Sequence, residues 1–93
     1  MRDKSQELLD FCKHQIESNG FLTQATVAIE EASEYIKELT KFMRGSGNRS
    51  HVIEEMADVV ITLSQMMLYF AVDEEQLDDV IDYKIRRESW RKK

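Results

Sequence analysis

Apolar residues recur three and four positions apart along almost the whole chain, the spacing of amphipathic helices rather than of strands. Asp3 to roughly Ser18 is expected as a first helix, with Leu8, Leu9, Phe11, Cys12 and Ile16 on its apolar side. Asn19-Gly20 follows as a helix-ending turn, because both residue types tolerate the left-handed conformation. A second helix is expected from about Thr23, its N-cap, to Arg44, followed by the flexible connection Gly45-Ser46-Gly47-Asn48. Ser50 is the expected cap of a third helix reaching about Ala71. Asp73, with Gln76 three residues on in a capping-box pattern, opens a fourth that runs to the end. Three glycines and no proline leave few breakers. The expected fold is all-α, a four-helix antiparallel bundle-like subunit forming a single domain over residues 1–93.

The third helix departs from a simple amphipathic pattern. Val52, Ile53, Met56, Val59, Val60, Leu63, Met66, Met67 and Phe70, joined by Ala57, Ile61 and Leu68, cover more than about 200° of its circumference. Glu54, Glu55, Asp58, Thr62, Gln65 and Tyr69 form its one continuous polar stripe. Carboxylates on so apolar a helix point to an internal polar site, since charged side chains are rarely buried unless paired or bound to metal. Glu54 sits at the outer edge of the stripe, as a first-turn residue complementing the helix dipole.

A second acidic cluster, Glu30, Glu31, Glu34 and Glu38, lies on the second helix. Phe21, Ala25, Ala28, Ala32, Tyr35, Leu39, Phe42 and Met43 form the expected apolar face there, with Glu31 on its flank and Glu34 about 60° further round. On that helix alone the acids read as a solvated edge. Together, the two clusters are expected to face one another across a hard divalent cation with oxygen ligands. Ala57, Ile61 and Leu68, opposite the core side of the third helix, are the expected subunit contact, because a small monomer should not leave them wet.

Composition narrows the function. Ninety-three residues bury too little surface for a lone monomer to be more than marginal, so a homodimer or homotetramer is expected. Cys12 is the single cysteine and reads as a buried thiol in a reducing cytoplasm. The N-terminus does not resemble a signal peptide, and Thr62, Ser64 and Gln65 interrupt the longest apolar run, so neither export nor membrane insertion is expected. A net charge of −5 argues against nucleic acid polymers as partners. The last ten residues nonetheless carry six Lys or Arg against one Glu. This tail reads either as a helix end complementing its dipole or as a phosphate-facing surface.

The paired motifs Glu30-Glu31-Ala32-Ser33-Glu34 and Glu54-Glu55-Met56-Ala57-Asp58 resemble the EExxE and EExxD of the MazG-like all-α nucleoside triphosphate pyrophosphohydrolases, over roughly residues 24–87. The resemblance implies that Glu31, Glu34, Glu55 and Asp58 are both the catalytic and the metal-binding residues. They would hold Mg²⁺, or Mn²⁺ in its place, against the triphosphate substrate. Water would then release pyrophosphate from a canonical or modified dNTP, leaving a monophosphate. Glu31 or Glu34 would orient or deprotonate that water. Related small members carry a basic pair on the last helix, which makes Lys84 and Arg87 the expected phosphate-binding residues. Thr62 and Tyr69 either line a base pocket or simply pack.

A phosphoribosyl-ATP pyrophosphohydrolase is the alternative inside the same superfamily. Its typical Lys three residues before EE and His four after the motif Asp are Val27 and Thr62 here, which counts against it. Outside catalysis, the alternatives are a non-catalytic nucleotide-binding helical module and a structural bundle.

Overall fold

The computed structural model describes residues 4–91, with side chains described for 5–88. The expected first-helix residue Asp3 and the tail residues Lys92 and Lys93 lie outside these residues, as does the side chain of Arg91. The chain is all-helical: α1 spans Lys4–Met43, α2 Arg49–Tyr69 and α3 Glu74–Arg91. Helix α1 is two helical arms in one, broken at Gly20, whose φ of 82° and ψ of 168° lie outside the helical range. A positive φ of this size suits glycine and strains any residue with a Cβ. The expected loop between the first two helices is therefore a single-residue break, and the second arm begins at Phe21 rather than Thr23.

The second arm of α1 and α2 form an antiparallel hairpin. Gln24 meets Gln65 at 2.8 Å and Phe21 stacks on Tyr69 with ring centroids 4.2 Å apart, so partners sum to a nearly constant residue number. The cap of α2 is Asn48, not Ser50: its Oδ1 accepts from the His51 amide at 2.9 Å. Asparagine is among the best caps, and this bond satisfies one of the first-turn amides. At the other end α2 stops at Tyr69 in a Schellman motif, two residues short of the expected Ala71. The Ala71 amide donates to Leu68 O at 3.1 Å and the Val72 amide to Met67 O at 2.9 Å, with Ala71 itself at φ 54°. Asp73 and Gln76 exchange the two bonds of a capping box at 2.8 and 3.0 Å, as their spacing predicts.

The first arm, residues 4–19, lies across α2. Cys12 is 1% exposed, its thiol donating to Ile61 O at 3.8 Å, and burial raises its pKa. Leu8, Leu9 and Cys12 share a cleft with Met67 and Leu68, while Phe11 shares another with Ala57 and Ile61. The surface expected to meet another subunit is thus partly covered by the chain's own first arm.

Helix α3 differs from the expected bundle. Its first residue, Glu74, borders the cleft beside Ser5 and Gln6, but among the described residues α3 packs against neither α1 nor α2. Val80 and Ile81, two of its apolar residues, are exposed. One chain therefore does not close a four-helix bundle. Its radius of gyration, 16.0 Å, exceeds the roughly 12 Å of a compact chain of this length.

The wheel also misassigns which apolar residues lie inside. Among described residues, the buried apolar ones are Cys12 and Val52, whereas Gln24, Glu38, Thr62 and Gln65 are buried polar ones. Leu39, Phe42 and Met43 of α1, and Ile53, Met56, Val60, Leu63 and Phe70 of α2, are exposed instead of forming a core. The line between the two hairpin helices is polar.

Candidate metal centre

The polar seam is built from one inward row on each helix. Gln24, Glu31 and Glu38 stand seven residues apart on α1, so each falls nearly two turns beyond the last on the same face. Opposite them lie Glu55, Asp58, Thr62 and Gln65 of α2. At the end near Gly20 the seam is an amide ladder. Asn19 Nδ2 donates to Gln15 Oε1 and Gln24 Oε1, both at 2.9 Å, and Gln24 Nε2 donates to Gln65 Oε1 at 2.8 Å. Thr62 is buried beside this ladder, its hydroxyl donating to the Asp58 and Val59 carbonyls at 3.0 and 3.2 Å. Tyr69 is held by its aromatic neighbours Phe21 and Phe70. Of the two, Thr62 borders the cleft that also takes in Glu31 and Asp58, while Tyr69 is half exposed within its aromatic cluster and does not border that cleft.

Mid-seam, Glu31, Glu55 and Asp58 each offer one oxygen within 4.8 Å of the other two. All three are half-buried. Burial is the first cause that pushes Glu31 above the ordinary glutamate range; its hydrogen bond to Asp58 and the charges of Asp58, Glu55 and Glu34 push the same way. Glu55 is likewise raised, first by burial and then by the charges of Asp58, Glu34, Glu38 and Glu54. Its Oε2 is a buried oxygen without a hydrogen-bond partner, as is Oε2 of Glu38.

Lys41 meets the outer oxygen of Glu38 at 3.4 Å, one turn past the cluster. Clustered carboxylates out of water raise one another's proton affinity, or they are neutralised by a cation. The donor set suits a hard one: ligands about 2.1 Å from Mg²⁺ stand roughly 3–4 Å from each other, within the spacing found here.

The structure thus brings together three of the four expected ligands. Glu34 is exposed and stands outside the group, near enough to act on Glu31 and Glu55 through its charge. Glu54 is exposed, as expected for the edge of the stripe, but α2 begins at Arg49, so it lies beyond the first turn and not at the helix-dipole position expected for it. Lys84 and Arg87 are not brought to the carboxylates within one chain. Both are exposed on α3, where Arg87 lies 6.0 Å from the Tyr83 ring centre.

Glu38 is a residue whose burial the sequence reading did not assign, although its seven-residue spacing from Glu31 is a signal for it. The amides of Asn19, Gln24 and Gln65 were also missed as a group. They line, with Phe11, Glu31 and Asp58, a cleft of about 390 Å³, within the size range of small-molecule sites.

No single helix among the described residues is long and apolar enough to cross a membrane. No protein-family model, curated protein or solved structure matches the chain.

Proposed function

We propose that this chain is a divalent-cation-dependent nucleoside triphosphate pyrophosphohydrolase of the MazG-like kind, working as a homodimer or homotetramer. One observation carries the reading. Glu31, Glu55 and Asp58 converge within 4.8 Å from two antiparallel helices, beside a cleft of nucleotide-compatible size. A purely structural seam gains nothing from carboxylates that repel and desolvate one another.

In this reading Glu31, Glu55 and Asp58 hold Mg²⁺ or Mn²⁺, which supplies Lewis-acid charge at the phosphate oxygens. Glu34, at the solvent-facing rim, orients water and accepts its proton. The water oxygen bonds to the α-phosphorus and the α–β anhydride bond breaks. Pyrophosphate leaves with the bonding electron pair, and the nucleoside monophosphate remains. The amides of Gln24 and Gln65, and the ring of Phe11, border the space beside the carboxylates where the rest of the nucleotide would lie.

The non-catalytic nucleotide-binding module is kept as a second reading because of one observation: neither Lys84 nor Arg87 is held at the carboxylates of its own chain. Pyrophosphate release from a panel of canonical and modified dNTPs, with Mg²⁺ and with chelator, separates the two. The enzyme reading expects Mg²⁺-dependent pyrophosphate and monophosphate in equal amounts. Nucleotide binding without turnover selects the module, and neither binding nor turnover rejects both.

A further inference from the structure

We infer that the buried amide pair Gln24–Gln65, with the ring of Phe11, reads the base of the nucleotide and selects pyrimidines. This rests on the nucleotide reading of the carboxylate cluster and adds to it the class of base that is taken.

Gln24 lies seven residues before Glu31, and Gln65 seven after Asp58, each about 10 Å along its helix. Because the helices are antiparallel, both displacements run toward the Gly20 end of the seam. Carboxylates and amides therefore stand at the two ends of one cleft of about 390 Å³. A nucleotide with its phosphates at the acidic end carries its base toward the amides, with the sugar between. The first arm of α1 adds Phe11 to the same cleft, and its ring is half exposed. An aromatic ring beside polar edge-readers is how proteins take up an unpaired base, by stacking on its face and hydrogen bonding to its edge.

The hydrogen bonds of the ladder leave a particular set of groups over. Asn19 Nδ2 donates to Gln15 Oε1 and Gln24 Oε1, and Gln24 Nε2 donates to Gln65 Oε1. Each of these three glutamines thus has its oxygen engaged, and Gln65 is held with its nitrogen turned away from Gln24. Gln65 is only 2% exposed, yet its Nε2 donates to no group among the described residues. It is not sealed off either, since the buried orphan side-chain atoms are oxygens of Glu38 and Glu55. Both hydrogens of Gln65 Nε2, and the second on Gln24 Nε2, are left for a ligand. The second lone pair of Gln65 Oε1 adds one acceptor.

That count selects the base. On its Watson–Crick edge cytosine carries the acceptors O2 and N3 with one amine donor, and uracil and thymine carry O2 and O4 with the N3 donor. Adenine offers one acceptor and one donor there, and guanine one acceptor and two donors. A surplus of N–H groups beside one lone pair matches the pyrimidine edge. Either purine would leave a buried donor unpaired, which is the stronger source of discrimination.

Calorimetric titration of the full chain in Mg²⁺ with non-hydrolysable α,β-methylene analogues of dCTP, dUTP, dTTP, dATP and dGTP tests this without turnover. The tightest pyrimidine analogue is expected to bind at least about tenfold better than either purine. Gln24→Leu with Gln65→Leu should abolish that preference while Mg²⁺ binding persists, which shows the seam intact. Gln65→Glu keeps the shape and the acceptor for Gln24 but removes the free N–H donors, and should abolish it as well. Phe11→Ala should weaken all five analogues by about fivefold or more, with Phe11→Trp restoring them. Equal binding of all five, a purine preference, or a pyrimidine preference that survives both amide variants overturns the inference alone. Binding of none overturns it together with the nucleotide reading. A pyrimidine preference without pyrophosphate release upholds the inference and rejects the enzyme.

Discussion

The two faces of the α1–α2 hairpin invert the usual arrangement of a small protein. Between the helices run Gln24, Glu31 and Glu38 against Glu55, Asp58, Thr62 and Gln65; on one outer side run Leu22, Ile29 and Ile36 beside Ile53, Val60 and Leu63. The first region spends its buried positions on groups that favour water. The second leaves in water groups that favour burial. Apolar burial is the main source of folding free energy, at about 25 cal/mol per Å². The polar seam therefore has to be held in place by something other than its own contacts. Under the proposed function its contents serve the chemistry of the site rather than the stability of the fold.

Breaking the acidic end of the seam should have the largest effect. Asp58→Asn or Glu55→Gln is expected to lower pyrophosphate release by at least about 10²-fold, through loss of a metal ligand. The same variants should raise the melting temperature of the chelator-treated protein, because they remove mutual repulsion among half-buried carboxylates. Loss of activity accompanied by a lower metal-free melting temperature would make these residues structural.

The amide end sharpens the comparison in a different way. Gln65→Leu alone should cost about 1–3 kcal/mol, since it strands the buried Gln24 amide. Adding Gln24→Leu should recover most of that loss, because no buried amide is then stranded: Asn19, which also donates to Gln24, is exposed and keeps its bond to Gln15. Chemical denaturation of the two single variants and the double reads this directly. A strictly additive double would show that the ladder is not one coupled unit.

The seam also fixes the sign of a pH effect. Glu31 and Glu55 have folded values above the ordinary glutamate range, so in the metal-free protein their contribution to stability is present when they are protonated. The melting temperature in chelator should rise as pH falls toward the ordinary glutamate value. It should decline as pH rises through the raised values. Glu34, Glu38, Glu54 and Asp58 supply the charges that oppose ionisation. Saturating Mg²⁺ should flatten or reverse that slope, because the metal binds the deprotonated ligands.

The smallest effect lies outside both faces. Ala71 occupies the left-handed position of the Schellman motif at φ 54°, where glycine is the usual residue. Ala71→Gly should stabilise the protein by about 1 kcal/mol without changing turnover.

Much of this was legible in the residues and some was not. The all-helical character and the Asp73–Gln76 capping box were expected, because helical spacing and a capping box are local properties, whereas the caps assigned to Thr23 and Ser50 were not the ones used. The inside of the hairpin was misread. A helical wheel identifies an apolar stripe but not whether its partner is the same chain or another, and Ile53, Met56 and Val60 were assigned inward on hydrophobicity alone. Lys84 and Arg87 failed to reach the carboxylates for a related reason. Their place depends on how α3 leaves α2, and the αL residue Ala71 and the turn before Asp73 set that geometry. Glu38 was visible as an acid but not as a buried one, since its burial follows from the seam register.

Under the proposed function the polar seam holds a divalent cation at Glu31, Glu55 and Asp58. Calorimetric titration of Mg²⁺ and Mn²⁺ into chelator-stripped wild-type protein and its Asp58→Asn variant tests it most directly. Saturable binding to the wild type that is lost in the folded variant is the predicted result. Absence of binding to the wild type, or equal binding to both, would contradict it.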